Sequence, residues 1–167
     1  MRTDMTTPIQ PTDLAGRPRF PWRLYAATFL IVSLWIHAAE NFRYLLFVRP
    51  MLQNSLSMVP DMAPMTLPYF ISWGVWDTVL AAMTTLWVWL YAQVFGRSVR
   101  SAIIAGTLSW LGSFVFCWHA FANLNLATFA DLFVEPPMSW VELTVAALIA
   151  HHLLGAAWLE RLVGQRR

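Results

Sequence analysis

The stretch that decides the fold is LPYFISWGVWDTVLAAMTTLWVWLYAQVF, residues 67–95, and it contains a single charged residue, Asp77. An α-helix rises about 1.5 Å per residue, so about 20 mostly apolar residues cross a hydrocarbon core of about 30 Å. Three other windows have the same length and character, at residues 24–48, 101–126 and 140–159. The sequence therefore predicts an all-α integral membrane protein, built as a four-helix antiparallel bundle.

Composition supports a lipid environment. Hydrophobic residues make up 58% of the 167-residue chain and charged residues only 12%, whereas soluble domains have about 45–50% and about 25%. The eleven basic residues are all Arg, and a net charge of +2 spread over several loops gives no basic patch for nucleic acid. The one cysteine, Cys117, excludes both a disulfide framework and a CxxC redox pair within the chain.

The distribution of arginine predicts how the chain lies in the membrane. Residues 1–22 contain four prolines and are expected to form a flexible tail, residues 23–162 form the four-helix domain, and residues 163–167 form a second tail. Arginine is concentrated near the first tail, in the GRSVR turn at residues 96–100 and at the C-terminus. By the positive-inside rule, the sequence predicts a multi-pass protein of a bacterial-type inner membrane with both termini in the cytoplasm.

Polar residues recur on one side of the first predicted helix. Ser33, His37, Glu40 and Tyr44 follow spacings of four, three and four, with Asn41 beside them, so they share one stripe of a helix. A charged side chain at mid-membrane costs about 2.5–3.5 kcal/mol on insertion scales and normally faces the interior of the bundle. The stripe therefore predicts an inward polar site.

Depth along the helices suggests which residues share that site. Counted from the predicted outer ends, Glu40 lies about 12 Å deep, Asp77 about 13 Å, His37 about 16 Å and His119 about 11 Å. We expect these four residues to form the catalytic set. Arg43, one turn further out, either extends to the interface or pairs with Glu40.

Two carboxyl groups in a dry site resist double ionisation, so one is expected to hold a proton near neutral pH while the other acts as a base. This chemistry fits an enzyme or binding protein that acts by proton transfer on a lipophilic small molecule of the sterol, isoprenoid or quinone type. We expect Trp73, Asn41, Asn123 and His151 to contact that molecule. Membrane lipid is the other expected partner.

Three alternatives remain at this stage. The first is a b-type haem held by His119 together with His37 or His151, or a non-haem metal held by histidine and carboxylate. The second is an accessory subunit of a larger membrane complex or a homo-oligomer. The third is a polar network that only fixes the register of the helices. An ion pathway is disfavoured because the inner half offers only Thr and Ser.

Overall fold

The computed structural model describes residues 20–56 and 66–156, and every regular element in these two segments is helical. Within these two segments, four helices are long and apolar enough to span a membrane: Trp22–Asn54, Leu67–Phe95, Val99–Asn123 and Asp131–Leu153. The predicted four-helix membrane bundle is confirmed. The predicted tails lie almost wholly outside the described residues.

Three of the four spans contain a short change of helix type. The first contains α1 (Trp22–Arg43), a π-helical segment (Tyr44–Val48) and α2 (Arg49–Ser55), and the second is α3 (Leu67–Phe95). The third contains α4 (Val99–Trp110), a π-helical segment (Leu111–Val115) and α5 (Phe116–Asn123). A 3₁₀ turn (Asp131–Phe133) precedes α6 (Glu135–Leu153).

The turn between α3 and α4 follows from its sequence. α3 ends at Gly96, whose φ of 80° suits a residue without a side chain. Ser98 then caps α4, because its Oγ accepts a hydrogen bond from the Ser101 N–H at 3.1 Å. This short connection makes α3 and α4 an antiparallel hairpin, as the GRSVR turn predicts.

Two spans differ in length from the prediction. The first continues to Ser55 instead of ending near residue 48, and the fourth helix begins at Glu135 instead of residue 140. Pro50 has no N–H to donate. The π-helical segment before it changes the hydrogen-bond register, so the helix continues beyond Pro50. Depths counted from residue 48 are therefore too small for the first helix.

The helices are arranged as a ring in the order α1, α3, α4, α6, with α3 and α6 also in contact across the centre. The Tyr25 hydroxyl near the start of α1 donates to the Ala82 carbonyl in the second half of α3, at 2.7 Å. The Trp35 indole donates to the Glu142 carbonyl of α6 at 3.1 Å. α1 thus runs antiparallel to both neighbours, as predicted.

Small residues bring α4 and α6 close together. A Cβ atom placed on Gly106 would lie 3.0 Å from the Ala147 Cβ and 3.0 Å from the Leu143 carbonyl oxygen. Both of these neighbours are fully buried. Close backbone approach through small residues is how membrane helices gain packing energy, since hydrophobic burial contributes little within lipid.

Candidate functional site

The centre of the polar interior is Arg43, the last residue of α1, which is only 4% exposed. Its guanidinium contacts three carboxylates: Glu40 one turn earlier, Glu135 at the start of α6 and Glu142 two turns into α6. The distance from Arg43 Nε to Glu142 Oε2 is 3.1 Å. The guanidinium also lies 5.0 Å from the centre of the Phe114 ring, within the range of a cation–π contact.

The sequence positions these groups by helix geometry. Glu40 and Arg43 are three residues apart on α1, and Glu135 and Glu142 are seven apart on α6, so each pair occupies one face of its helix. α1 and α6 are antiparallel neighbours. The end of α1 therefore meets the beginning of α6. Of the two expected arrangements for Arg43, the structure has the pairing with Glu40.

Asp77 lies on the adjacent helix α3 and is 1% exposed. Neither of its carboxyl oxygens has a hydrogen-bond partner among residues 20–56 and 66–156. The carboxyl is within electrostatic range of Glu40, His37 and Arg43. Glu40, Glu135 and Glu142 also have buried oxygens without a hydrogen bond, but each of them pairs with Arg43 and Asp77 does not.

His37 lies at the seam between α1 and α3 and is half-buried. Its Nδ1 is 2.8 Å from the Ser33 carbonyl oxygen, and its own carbonyl accepts a hydrogen bond from the Asn41 amide at 2.7 Å. The Nε2 atom faces α3, where it would lie 3.9 Å from a Cβ atom on Gly74.

Trp73 is next to the carboxylate cluster and is 42% exposed. Its ring centre is 5.2 Å from that of Tyr44, with the planes inclined at 42°. It also lies beside Glu40. Trp73 therefore occupies the boundary between the buried acids and the outer surface of the bundle.

The other expected site residues are elsewhere. His119 is exposed, and its Nδ1 is 2.7 Å from the Val115 carbonyl of its own helix. Asn123 is exposed at the last residue of α5. His151 lies near the opposite end of the bundle, where its carbonyl accepts a hydrogen bond from Arg97.

Depth explains why His119 is separate from His37. Arg43 and Phe114 are level with each other, and their helices run in the same direction. His37 precedes Arg43 by six residues, and His119 follows Phe114 by five, so they differ in depth by about 16 Å. The sequence places them together only if the first helix ends near residue 48, which it does not.

The depths of the histidines also decide whether two of them can bind one haem or metal. His37 lies beside Gly74 in the first third of α3, whereas the carbonyl of His151 contacts Arg97, just after α3 ends, so the two histidines lie at different depths. No pair of these three imidazoles is thus placed to ligate one haem iron from two sides. In the two described segments, no group of three or more His, Cys, Asp or Glu residues is arranged to hold a metal ion.

Glu135 and Glu142 are not among the residues that the sequence predicts for the site. Glu142 is the only charged residue in the apolar window 140–159, so the rule that singled out Asp77 applies to it equally. Glu135 lies before the predicted window 140–159, but prolines at the following two positions suit the first turn of a helix. α6 therefore starts one residue before them and carries Glu135 into the interior.

The site thus consists of Arg43 with Glu40, Glu135 and Glu142, joined by Asp77, and bordered by His37 and Trp73. Comparison of the chain with protein-family models, with curated proteins and with solved structures finds no match.

Proposed function

We propose that this chain is a small integral membrane enzyme or binding protein that acts by proton transfer on a lipophilic small molecule, with Asp77 as the proton-exchanging group. The observation that carries the proposal is the state of Asp77: 1% exposed, with no hydrogen bond to either oxygen in the described part of the chain.

The acids of the site have different roles in this proposal. Glu40, Glu135 and Glu142 pair with Arg43 and hold α1 against α6. Asp77 takes no part in these ion pairs. A network that served only to fix helix register would be expected to satisfy all of its members, because an unsatisfied buried polar group costs about 1–3 kcal/mol. Asp77 is thus the member available to a ligand.

The charge balance also favours proton exchange. Four carboxyl groups and one guanidinium share the region. If every acid were ionised, the interior would carry an excess of negative charge that a low-dielectric medium strongly disfavours. Bound protons are the simplest compensation, and a group that stores a proton beside a base can transfer it.

The surroundings of the site support the proposed class of molecule. The site lies within spans that meet lipid, and Trp73 with Tyr44 provides aromatic surface beside the acids. Aromatic walls with a few polar groups are typical of sites for apolar ligands. Sterol-, isoprenoid- and quinone-type molecules are therefore the expected class. The arginine distribution further suggests an inner membrane and cytoplasmic termini, which would put the site in the outer half of the bilayer.

The test is an analysis of bound lipophilic molecules. Wild-type protein, Asp77→Asn and Asp131→Asn are purified in the same lipid nanodiscs, extracted with solvent and compared by mass spectrometry. Asp131 is a suitable control because its carboxylate is buried but already accepts a hydrogen bond from the Thr128 N–H, at 2.7 Å. We expect a lipophilic species to be enriched with the wild type and Asp131→Asn and lost with Asp77→Asn. The same species in all three, or none with the wild type, would contradict the proposal.

A further inference from the structure

The proton on the His37 ring can be assigned from its contacts. Nδ1 is 2.8 Å from the Ser33 carbonyl oxygen, and a carbonyl oxygen can only accept a hydrogen bond. Nδ1 therefore carries the hydrogen. In a neutral imidazole the other nitrogen, Nε2, then has a lone pair and can only accept.

The Nε2 atom lies close to Gly74 of α3. A Cβ atom placed on Gly74 would lie 3.9 Å from His37 Nε2. Among the described residues, no other heavy atom lies within 4 Å of that position, apart from the chain neighbours and helix backbone of Gly74. A larger residue at position 74 would fill the space over the nitrogen. Glycine leaves it open.

The seam around Gly74 reaches the outer surface of the bundle. Ser33, His37 and Asn41 are half-buried along the α1 side, and Trp73 is 42% exposed on the α3 side. The neighbouring surface is apolar: Leu34 is 74% exposed and Phe42 is 61% exposed. A partly exposed polar line between lipid-facing apolar residues is costly in a membrane unless something pairs with it.

We infer that the α1–α3 seam at Gly74 is where the lipophilic molecule enters sideways from the membrane, and that this molecule carries a hydroxyl group that donates a hydrogen bond to His37 Nε2. The inference rests on the proposed function and defines its ligand as a phenol, hydroquinone or alcohol type. A ligand whose polar groups only accept hydrogen bonds has no donor for Nε2.

The geometry supports one balanced proton-transfer step. The O–H bond of the ligand breaks, its electron pair remains on oxygen, and the proton forms an N–H bond at His37 Nε2. The imidazolium keeps its Nδ1–H on the Ser33 carbonyl. Asp77, within electrostatic range of His37, keeps its own proton during this step.

The experiment uses two probes that differ by one donor: 1-naphthol, which has a hydroxyl group, and 1-methoxynaphthalene, which does not. Full-length protein with ¹⁵N-labelled histidine is studied in nanodiscs by NMR, and the His37 signals are identified by their loss in His37→Gln. We expect 1-naphthol to shift the Nε2 resonance and the methyl ether to leave it in place.

Glycine variants locate the probe. Gly74→Leu should weaken the 1-naphthol response at least about tenfold, because its side chain covers Nε2. Gly112→Leu is the matched control. Gly112 is exposed, and apart from its chain neighbours and its own helix backbone no described atom lies within 4 Å of an added Cβ, so this variant should respond like the wild type. If Gly74→Leu disturbs the other three histidine signals, Gly74→Ala replaces it, with an intermediate loss expected.

Equal shifts with both probes, no shift with 1-naphthol, or an unchanged response in the Gly74 variant would overturn the inference. The proposed function fails differently. If Asp77→Asn keeps the bound lipophilic species seen with the wild type, Asp77 is not the working group. If that species depends on Asp77 while the naphthol result is negative, only the seam and the hydroxyl requirement are wrong.

Discussion

The guanidinium of Arg43 and the carboxylate of Glu142 meet at 3.1 Å, although 99 positions separate the two residues along the chain. The pair joins the end of α1 to the first half of α6, and both side chains are buried. Glu40 and Glu135 contact the same guanidinium. One arginine thus contacts three acids inside an apolar bundle.

Loss of this arginine should be severe. Arg43→Met leaves Glu40, Glu135 and Glu142 without their cation, and removing one partner of a buried ion pair typically costs about 3–5 kcal/mol. Arg100→Met removes an exposed charge and should change stability by less than about 0.5 kcal/mol. Unfolding free energies in mixed detergent micelles measure both. Similar stabilities for the two variants would show that the cluster does not hold α1 to α6.

A double-mutant cycle isolates the longest-range contact. If Arg43 and Glu142 interact directly, Arg43→Met combined with Glu142→Met should destabilise by less than the sum of the single variants. Coupling of about 0.5–3 kcal/mol is usual for residues in one network. Additive effects in the same unfolding assay would place the two side chains apart.

Close packing of α4 on α6 gives an independent expectation. Gly106→Leu places a side chain where even a Cβ is only 3.0 Å from Ala147, and overpacking of this kind costs about 1–3 kcal/mol. Gly112→Leu adds the same atoms at an exposed position and should be close to neutral. The reverse order of stabilities would contradict the α4–α6 contact.

Topology can be tested with an enzyme reporter that is active only outside the cytoplasm. The arginine distribution predicts activity for an alkaline phosphatase fusion after Pro60 and none for a fusion at the C-terminus. A cytoplasmic reporter such as green fluorescent protein should give the complementary pattern. Phosphatase activity at the C-terminus would reverse the predicted orientation of the bundle.

The number of helices could be predicted from the sequence because each apolar window is long and contains few charges. The burial of Glu40 and Asp77 on neighbouring helices also follows from helix spacing. The separation of His119 could not be predicted, because depth was counted from a helix end placed near residue 48. The apolar window ends there, but a π-helical segment at Tyr44–Val48 carries the helix on past Pro50.

Glu142 was missed for a different reason. Its neighbours Val141 and Leu143 are apolar, and it has no charged partner nearby in sequence, so its role is visible only when α1 and α6 are placed side by side. An ion pair between residues 99 positions apart produces no periodic pattern of residues in a single sequence. A single charge in a membrane window is the available indication.

If the Asp77 side chain is there to bind a ligand and does not stabilise the fold, it should lower the unfolding free energy of the protein without ligand. A buried carboxyl with no hydrogen bond costs about 1–3 kcal/mol, so Asp77→Leu is expected to raise the unfolding free energy by about 1 kcal/mol or more. Glu142→Leu, which removes a partner of Arg43, should lower it. Destabilisation by Asp77→Leu as large as that by Glu142→Leu would indicate a structural role.

The most direct test of the central claim is infrared difference spectroscopy of the carboxyl groups in nanodiscs, with the wild type compared with Asp77→Asn and the control Asp131→Asn. We expect a band from a protonated carboxyl that shifts on exchange into heavy water, changes when 1-naphthol is added and disappears only in Asp77→Asn. A spectrum without that band, or a band that remains unchanged in Asp77→Asn, would contradict the assignment of Asp77 as the proton-exchanging group.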